Sequence, residues 1–374
     1  MRVKKIAMIT SRYPPSLCAM GQFAQFLIND LLENYNIETI PIAFDENLSL
    51  EELRTRNRSA KKINIKKKNE IISAIEELKF IDAIIINYVQ YDVDSRAIPY
   101  ALLRAIKEIK RKYSSIKIVL SLHEMLLPEL CRKKEILYYP LQFYIAKSLL
   151  SLSDEVIATT PTLIKRAKFL TKNFNYKILP VFSGFGESTE TTFKKKKLNN
   201  WVIFGSEPRI IPSLIDFIDH VKKGEIRCDK LTVFGGRESS VINKILNDLH
   251  ETPHTYSPMV SVSEAIELLK DSMFSYIKYD DCNGEEAYHI FRSSVLGSCL
   301  ANGVIPVLVT LLEKPVIPGS KNNISLVLLK DFLEFFNKEY SLDDMISYAK
   351  KNYKWYHENM SLMIHSAYYS QLIT

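Results

Sequence analysis

The sequence lacks any apolar run approaching the roughly 20 residues that cross a bilayer, so a bundle of membrane helices is excluded. Cysteine is scarce: five residues, an odd number without metal-ligand spacing, which argues against a disulfide or zinc framework and fits a reducing cytoplasm. The apolar run at residues 6–10 is too short for a signal-peptide core and meets Ser11-Arg12 instead of a small-residue cleavage site. Neither a Gly-x-Gly-x-x-Gly fingerprint nor a Walker loop occurs, which disfavours a standard nicotinamide or P-loop enzyme. His250, His254 and His289 are scattered, without ligand spacing.

What is present is globular: 374 residues, 47% hydrophobic and 25% charged, long enough that two domains are expected. The net charge of +7 suits acidic partners such as nucleotide diphosphates, anionic lipid surfaces or nucleic acid. Strand-like apolar runs at 5–10, 37–44, 81–88, 116–122 and 155–158 alternate with helical periodicity at 21–33, 69–78, 100–113, 137–152 and 162–171. That alternation predicts a mainly parallel sheet covered on both faces. Residues 184–200, with Gly, Ser, Thr and the run Lys194 to Lys197, read as a linker. The pattern restarts at Trp201 and continues through strands near 231–234, 274–279 and 305–310. The expected domains are 1–185, a linker at 186–200, a second domain at 201–345 and a helical, aromatic-rich 346–374. Two further segments carry expectations. The basic stretch 54–68 reads as a solvated loop, or more sharply as an acceptor or membrane-surface contact. The helix at 137–152, with Tyr138, Tyr139, Phe143 and Tyr144, is expected in the core or at a partner surface.

Ligands of an open parallel sheet sit beyond the carboxyl ends of its strands, where helix N-termini favour negative charge. The second half offers three such handovers: Gly205-Ser206-Glu207-Pro208-Arg209, Gly235-Gly236-Arg237-Glu238-Ser239-Ser240, and Phe291-Arg292-Ser293-Ser294. Any one alone is as readily ordinary turn chemistry with a surface arginine.

The order of these features resembles glycosyltransferase family 4 and its GT-B relatives across essentially the whole chain. The opening strand with Pro14-Pro15 and Gly21 is similar to the family's donor-facing glycine loop, and Leu122-His123-Glu124 to its strand-end His-Asp pair. Residues 153–160 resemble the segment before the last helix of the first domain, and residues 179–185 its proline-glycine crossing. Residues 300–307 resemble the alanine-x-glycine-x-proline-valine ending, and Trp355 the tryptophan near a returning helix. The resemblance implies an α/β fold of GT-B type: two Rossmann-like domains facing across a cleft, with residues 346–374 packing back on the first. The first domain would bind the acceptor and the second a nucleotide-diphosphate sugar, UDP- or GDP-linked, with no separate cofactor.

The chain also departs from the family. Ile290 and Ser298 stand where a Glu-x7-Glu pair is usual, Arg209 is the nearest substitute for a Gly-Arg, and Ile305 is inserted before Pro306. Retaining and inverting outcomes both stay open, as does a catalytically inactive GT-B-like partner subunit. Developing diphosphate charge would fall to Arg209 and Arg292, with Ser293 and Ser294 donating to phosphate oxygens. His123 would contact the sugar or assist at the acceptor hydroxyl, the alternative being a satisfied core histidine. Gly21, Gly205 and Gly236 would let backbone approach the donor. Arg237 or Glu238 would touch ribose or base, and Glu285 or Glu286 the sugar hydroxyls. Asp280-Asp281 is read as a pair of exposed turn aspartates, and no essential metal is expected. The implied partners are the donor and a sugar, lipid-linked or peptide acceptor, with peripheral contact at the membrane inner face and homo- or hetero-oligomers left open. A nucleic-acid partner is not expected, because residues 54–68 lack interleaved aromatics.

Overall fold

The computed structural model describes residues 3–16, 18–125, 137–188, 190–249, 251–278, 290–309, 326–336 and 340–373. The chain forms two compact units: one built from residues up to Pro180 and from Leu362 onward, the other from Val181–Ser361.

The first unit holds β1 (Lys4–Thr10), α1 (Ala19–Tyr35), β2 (Ile37–Ala43), α2 (Leu50–Arg56), β3 (Lys61–Lys62), α3 (Lys68–Glu76), β4 (Ala83–Val89) and the single turn α4 (Gln90–Val93). It continues with α5 (Tyr100–Lys112), β5 (Lys117–Glu124), α6 (Tyr139–Leu152), β6 (Glu155–Ala158), α7 (Pro161–Leu170) and β7 (Tyr176–Ile178). Its seven strands are all parallel, in the order β3-β2-β1-β4-β5-β6-β7. Both faces are covered, which is why Ile84, Ile85 and Ile86 form a continuous apolar run and are all buried. Ala7, Ile9, Ile84, Ile86, Ile118 and Leu120 share one core cluster with Ile71 of α3 and Leu102 and Ile106 of α5.

The second unit repeats the plan with β8 (Lys197–Phe204), α8 (Glu207–Lys222), β9 (Lys230–Phe234), α9 (Ser240–Leu246), β10 (His254–Ser257), α10 (Val262–Asp271) and β11 (Ser272–Lys278). It is completed by α11 (Ser294–Ala301), β12 (Ile305–Val309), β13 (Val327–Leu328) and α12 (Leu342–Asn359). Six parallel strands run β10-β9-β8-β11-β12-β13. Trp201 centres an aromatic core with Phe217, Phe274 and Phe332, ring centroids 4.9 to 5.2 Å away.

Residues 342–373 do not form one helix. The N–H groups of Met360 and Ser361 both reach Tyr356 O, at 2.8 and 3.0 Å, and close α12, whose Met345 and Ala349 sit in the second core. The returning element is the separate helix α13 (Leu362–Ile373), which lies against α1: the His365 and Phe23 rings meet edge-on at 5.7 Å, and Ser366 Oγ donates to Asp30.

The lysine run is not a free linker. Residues 190–195 form a tight 3-10 turn, β8 begins at Lys197, and Lys196 between them is buried. Its ammonium donates to Leu269 O, Ser272 O and Asn302 O at 2.9, 2.8 and 2.8 Å, tying the ends of α10 and α11 to the sheet. The basic stretch at 54–68 is likewise more ordered than a loop. It contains the end of α2 and the edge strand β3, and Lys61, Lys66, Lys67 and Lys68 pair with Glu77, Glu46, Glu70 and Glu108. α6 turns Ile145, Ala146, Leu149 and Leu150 into the core, packs half-buried Tyr139 and Phe143 against it, and leaves Leu141 and Tyr144 exposed, so its aromatic stripe is split between core and surface.

Candidate functional site

The order of the second sheet reverses between β8 and β11, and the crevice beyond the carboxyl ends of such strands is where this architecture holds ligands. The chain leaves β8 through Gly205, whose φ of 134° no ordinary side chain adopts, and enters α8 with Ser206 as N-cap. Pro208 in the first turn is compatible with a helix start, so α8 begins directly after Ser206, while Pro212 lies inside it.

Three loops converge here. A Cβ on Gly205 would lie 3.4 Å from Val295 Cγ2 in the first turn of α11 and 3.9 Å from Arg209 Cβ. A Cβ on Gly235 would stand 2.6 Å from Gly205 O, and one on Gly236 3.3 Å from the Glu207 N. The Gly205 to Arg209 turn and the Gly235-Gly236 turn are therefore held together by close backbone approach, which at Gly235 only glycine permits, and the Val295 side chain at the start of α11 packs against Gly205. Gly235→Ala should cost about 2 kcal/mol of stability through its clash and its φ of 100°. Urea unfolding checks this, and a variant as stable as wild type would show that the turn is not so constrained.

The site residues are placed as follows. Arg292 ends the turn Ile290–Arg292, half-buried, directly before Ser293, the N-cap of α11. Val181 N–H donates to Phe291 O at 2.9 Å, anchoring that turn. Ser293 Oγ accepts from Val295 N–H at 3.2 Å, and Ser294 is the first helical residue. Arg209 is exposed in the first turn of α8. Arg237 is exposed, and its carbonyl accepts from Tyr256 Oη at 2.9 Å. Gly205, Gly236, Arg209, Ser293 and Ser294 thus gather at one edge of the second unit. Glu238 lies on the exposed part of the same glycine turn. Glu285, Glu286, Asp280 and Asp281 lie outside the described residues.

Gly21 and His123 belong to the first unit. Gly21 is the third residue of α1, where a Cβ would lie 3.3 Å from Arg12 O and Tyr13 Cα. Its smallness lets the loop after β1 press on the helix. His123, near the end of β5, is buried: Nε2 lies 3.2 Å from Ser121 Oγ, and the ring meets Phe23 edge-on at 5.1 Å. Nearby His365 donates from Nε2 to Pro180 O, 2.8 Å away, and burial pushes its pKa down to about 4, so it is neutral at physiological pH.

Several contributors carry no local signal in the sequence. Glu207, at the first position of α8, accepts from Ser239 Oγ at 2.6 Å, which directs that carboxylate to the α9 cap. Lys278, the last residue of β11 at the switch point, pairs with Asp216 at 3.0 Å. Gly297 has a helical interior position, yet a Cβ there would lie 2.7 Å from Phe182 C, so α11 is seated on residues 181–182 by backbone contact. An Asp-x-Asp spacing also occurs, at Asp92 and Asp94 just beyond β4. Asp94 Oδ1 accepts from Arg96 and Ile98 N–H at 2.9 and 3.1 Å, and Asp92 accepts from Ser11 Oγ at 3.3 Å. The Asp94 bonds close a turn, and the Asp92 bond ties α4 to the residue after β1. Among the described residues no cluster of three or more His, Cys, Asp or Glu could hold a metal ion.

No protein-family model matches the sequence, and no curated protein matches it. Solved structures do. A sucrose-phosphate synthase from Thermosynechococcus elongatus superposes with a TM-score of 0.64 at 11% identity, covering 99% of this chain and 98% of that one. HepE from Anabaena, in complex with UDP and glucose, gives 0.62 at 9% identity and 99% of each chain. An alpha-glucosyltransferase in complex with UDP and a 13-mer DNA containing a HMU base gives 0.59 at 12% identity, again over 99% of each chain. What the chain shares with them is the fold, the two-domain α/β architecture of GT-B proteins.

Proposed function

We propose that the chain is a metal-independent GT-B glycosyltransferase that moves a sugar from a nucleotide-diphosphate sugar to a hydroxyl acceptor. The observation that carries this reading is the convergence, at the switch point of the second sheet, of two glycine turns with the start of α11 and its preceding Arg292. Backbone there is bare enough for a diphosphate to approach, and both a helix N-terminus and guanidinium groups favour its charge. The fold shared with UDP-bound structures supports a UDP-sugar, with a GDP-sugar as the other donor of the same chemistry.

In this reading the bond from the anomeric carbon to the diphosphate oxygen breaks, and that oxygen's new charge is taken by Arg292 and Arg209, with Ser293 and Ser294 donating. The acceptor oxygen forms the new bond and gives up its proton. His123, an imidazole fixed beside Ser121, is the residue assigned to the sugar or to that proton. Arg237 or Glu238 is assigned to the ribose or base; Glu285 and Glu286, assigned to the sugar hydroxyls by the family resemblance, lie outside the described residues. The acceptor is a sugar, a lipid-linked sugar or a peptide, in polysaccharide, glycolipid or natural-product assembly.

Titration calorimetry with UDP and GDP, in the presence of chelator, tests the reading: one should bind. If neither binds, the inactive-partner alternative replaces it. His123→Gln should leave nucleotide affinity unchanged and slow turnover about tenfold; unchanged turnover would return this histidine to the core.

A further inference from the structure

The first unit carries a face that sugar transfer leaves unused. α5 turns Tyr100, Arg104, Lys107 and Arg111 outward at helical spacing, while Leu102, Ile106 and Ile109 are buried. α6 exposes Leu141, Tyr144 and Lys147, and α7 exposes Lys165, Lys168 and Phe169. The apolar members are not incidental grazes of solvent: Leu137 just before α6 is 88% exposed, Phe169 79% and Tyr144 49%.

These faces form one surface. Lys107 Nζ lies 5.4 Å over the Tyr144 ring and 3.3 Å from its hydroxyl, joining α5 to α6. Phe143 and Phe169 meet edge-on at 5.7 Å, joining α6 to α7. Arg104 lies over Tyr100, and Arg96 over Tyr138.

The charge of the surface has one sign. Neither α6 nor α7 contains an acidic residue, and the single carboxylate of α5, Glu108, is taken by Lys68 at 2.9 Å. Among the described residues Arg104, Lys107, Lys147, Lys165 and Lys168 form no ion pair. Aliphatic and aromatic groups standing clear of the surface, ringed by long cationic side chains, match the boundary between headgroups and acyl chains. A nucleic acid would use the cations and tyrosines, yet it would leave Leu137 and Leu141 in water.

We propose that this face docks the protein on an anionic lipid surface, with the exposed apolar side chains entering the headgroup layer and the lysines and arginines meeting lipid phosphates. Topology gives the contact a direction. Tyr100, Leu137 and Leu141 lie at or beside the starts of helices that leave the carboxyl ends of β4 and β5, the sheet edge where ligands bind. A lipid-borne acceptor would therefore be met at that edge. The docking itself stands or falls independently of sugar transfer.

Flotation of the full chain with phosphatidylcholine vesicles, with and without about one-third phosphatidylglycerol, tests the proposal. The protein should float with the anionic vesicles at low ionic strength and remain behind with neutral ones. Arg104→Gln/Lys107→Gln should weaken binding about 30-fold, and Leu141→Ser/Phe169→Ser should lower it even where salt already screens the charges. Arg54→Gln/Arg56→Gln, on a different surface, should bind as wild type does. All altered side chains are exposed, and a thermal midpoint near that of wild type confirms folding; if one pair misfolds, the other carries the test. Absence of flotation with anionic vesicles would overturn the proposal. So would wild-type binding by both helix-face variants, or retention by duplex DNA without retention by vesicles.

Discussion

Replacing Arg292 with alanine should weaken UDP binding by about 100-fold while leaving thermal stability near that of the wild type. The residue sits at the end of a 3-10 turn held by the buried side chains of Ile290 and Phe291 and by the Val181 N–H bond to Phe291 O. Its place one residue before the N-cap of α11 aligns a fixed positive charge with a helix N-terminus, two sources of the same field. Arg292→Lys keeps the charge and loses the planar fork, and should fall between the two, about tenfold weaker than wild type. Calorimetry on the three proteins decides the matter. Equal affinities would remove the diphosphate from this end of α11, and with it the role assigned to Ser293 and Ser294.

Lys196→Met should destabilise the protein by about 3–5 kcal/mol at neutral pH, measured by urea unfolding. Methionine fills much of the same space, so the loss comes chiefly from leaving Leu269 O, Ser272 O and Asn302 O without their shared donor. The effect should depend on pH in a definite direction. Burial pushes the Lys196 ammonium down to about 7 from an ordinary value of 10.5. Between those values the unfolded chain holds a proton that the folded chain has released, so protonation favours unfolding and stability rises with pH. The neutral amine still donates two hydrogens, which keeps most of the tether in place. The gap between wild type and Lys196→Met should widen by about 2 kcal/mol from about pH 7 to about pH 9. A gap that narrows with alkalinity, or a variant within about 1 kcal/mol of wild type, would show that the lysine is not a structural tie.

The sequence made the architecture legible because a doubly covered parallel sheet writes its strands as unbroken apolar runs. Ile84 to Ile86 and Val202 to Phe204 are such runs, and both are strands. Short edge strands leave no such mark. β3 is two lysines, and the burial pattern of β10 is wholly exposed or half-buried, so their pairing is decided by neighbours distant in sequence. Lys196 illustrates the same limit. A tetralysine run reads as solvent-facing, and only carbonyls 73 to 106 residues away make burying one of its members tolerable. The break after Asn359 carries no proline or glycine to announce it. For the site, the strand-to-helix handovers were readable because the glycines and the helix-starting Ser293 are local signals. That Gly205, Gly235 and Val295 would meet was not, since contact between loops distant in sequence has no period. The Arg54 to Lys68 stretch drew attention by its charge, yet much of that charge is answered by nearby glutamates.

The position of α13 bears on how the molecule comes into being. The helix lies on α1 beside Phe23 and Asp30, while the preceding 181 residues, Val181–Ser361, build the other unit. On the ribosome, the amino-terminal unit therefore emerges first but lacks a piece of its wall until residues 362–373 have been synthesised. It should wait as an open, chaperone-accessible intermediate while the carboxy-terminal unit folds, and a nascent chain halted before residue 362 should remain protease-sensitive in its earliest-made half.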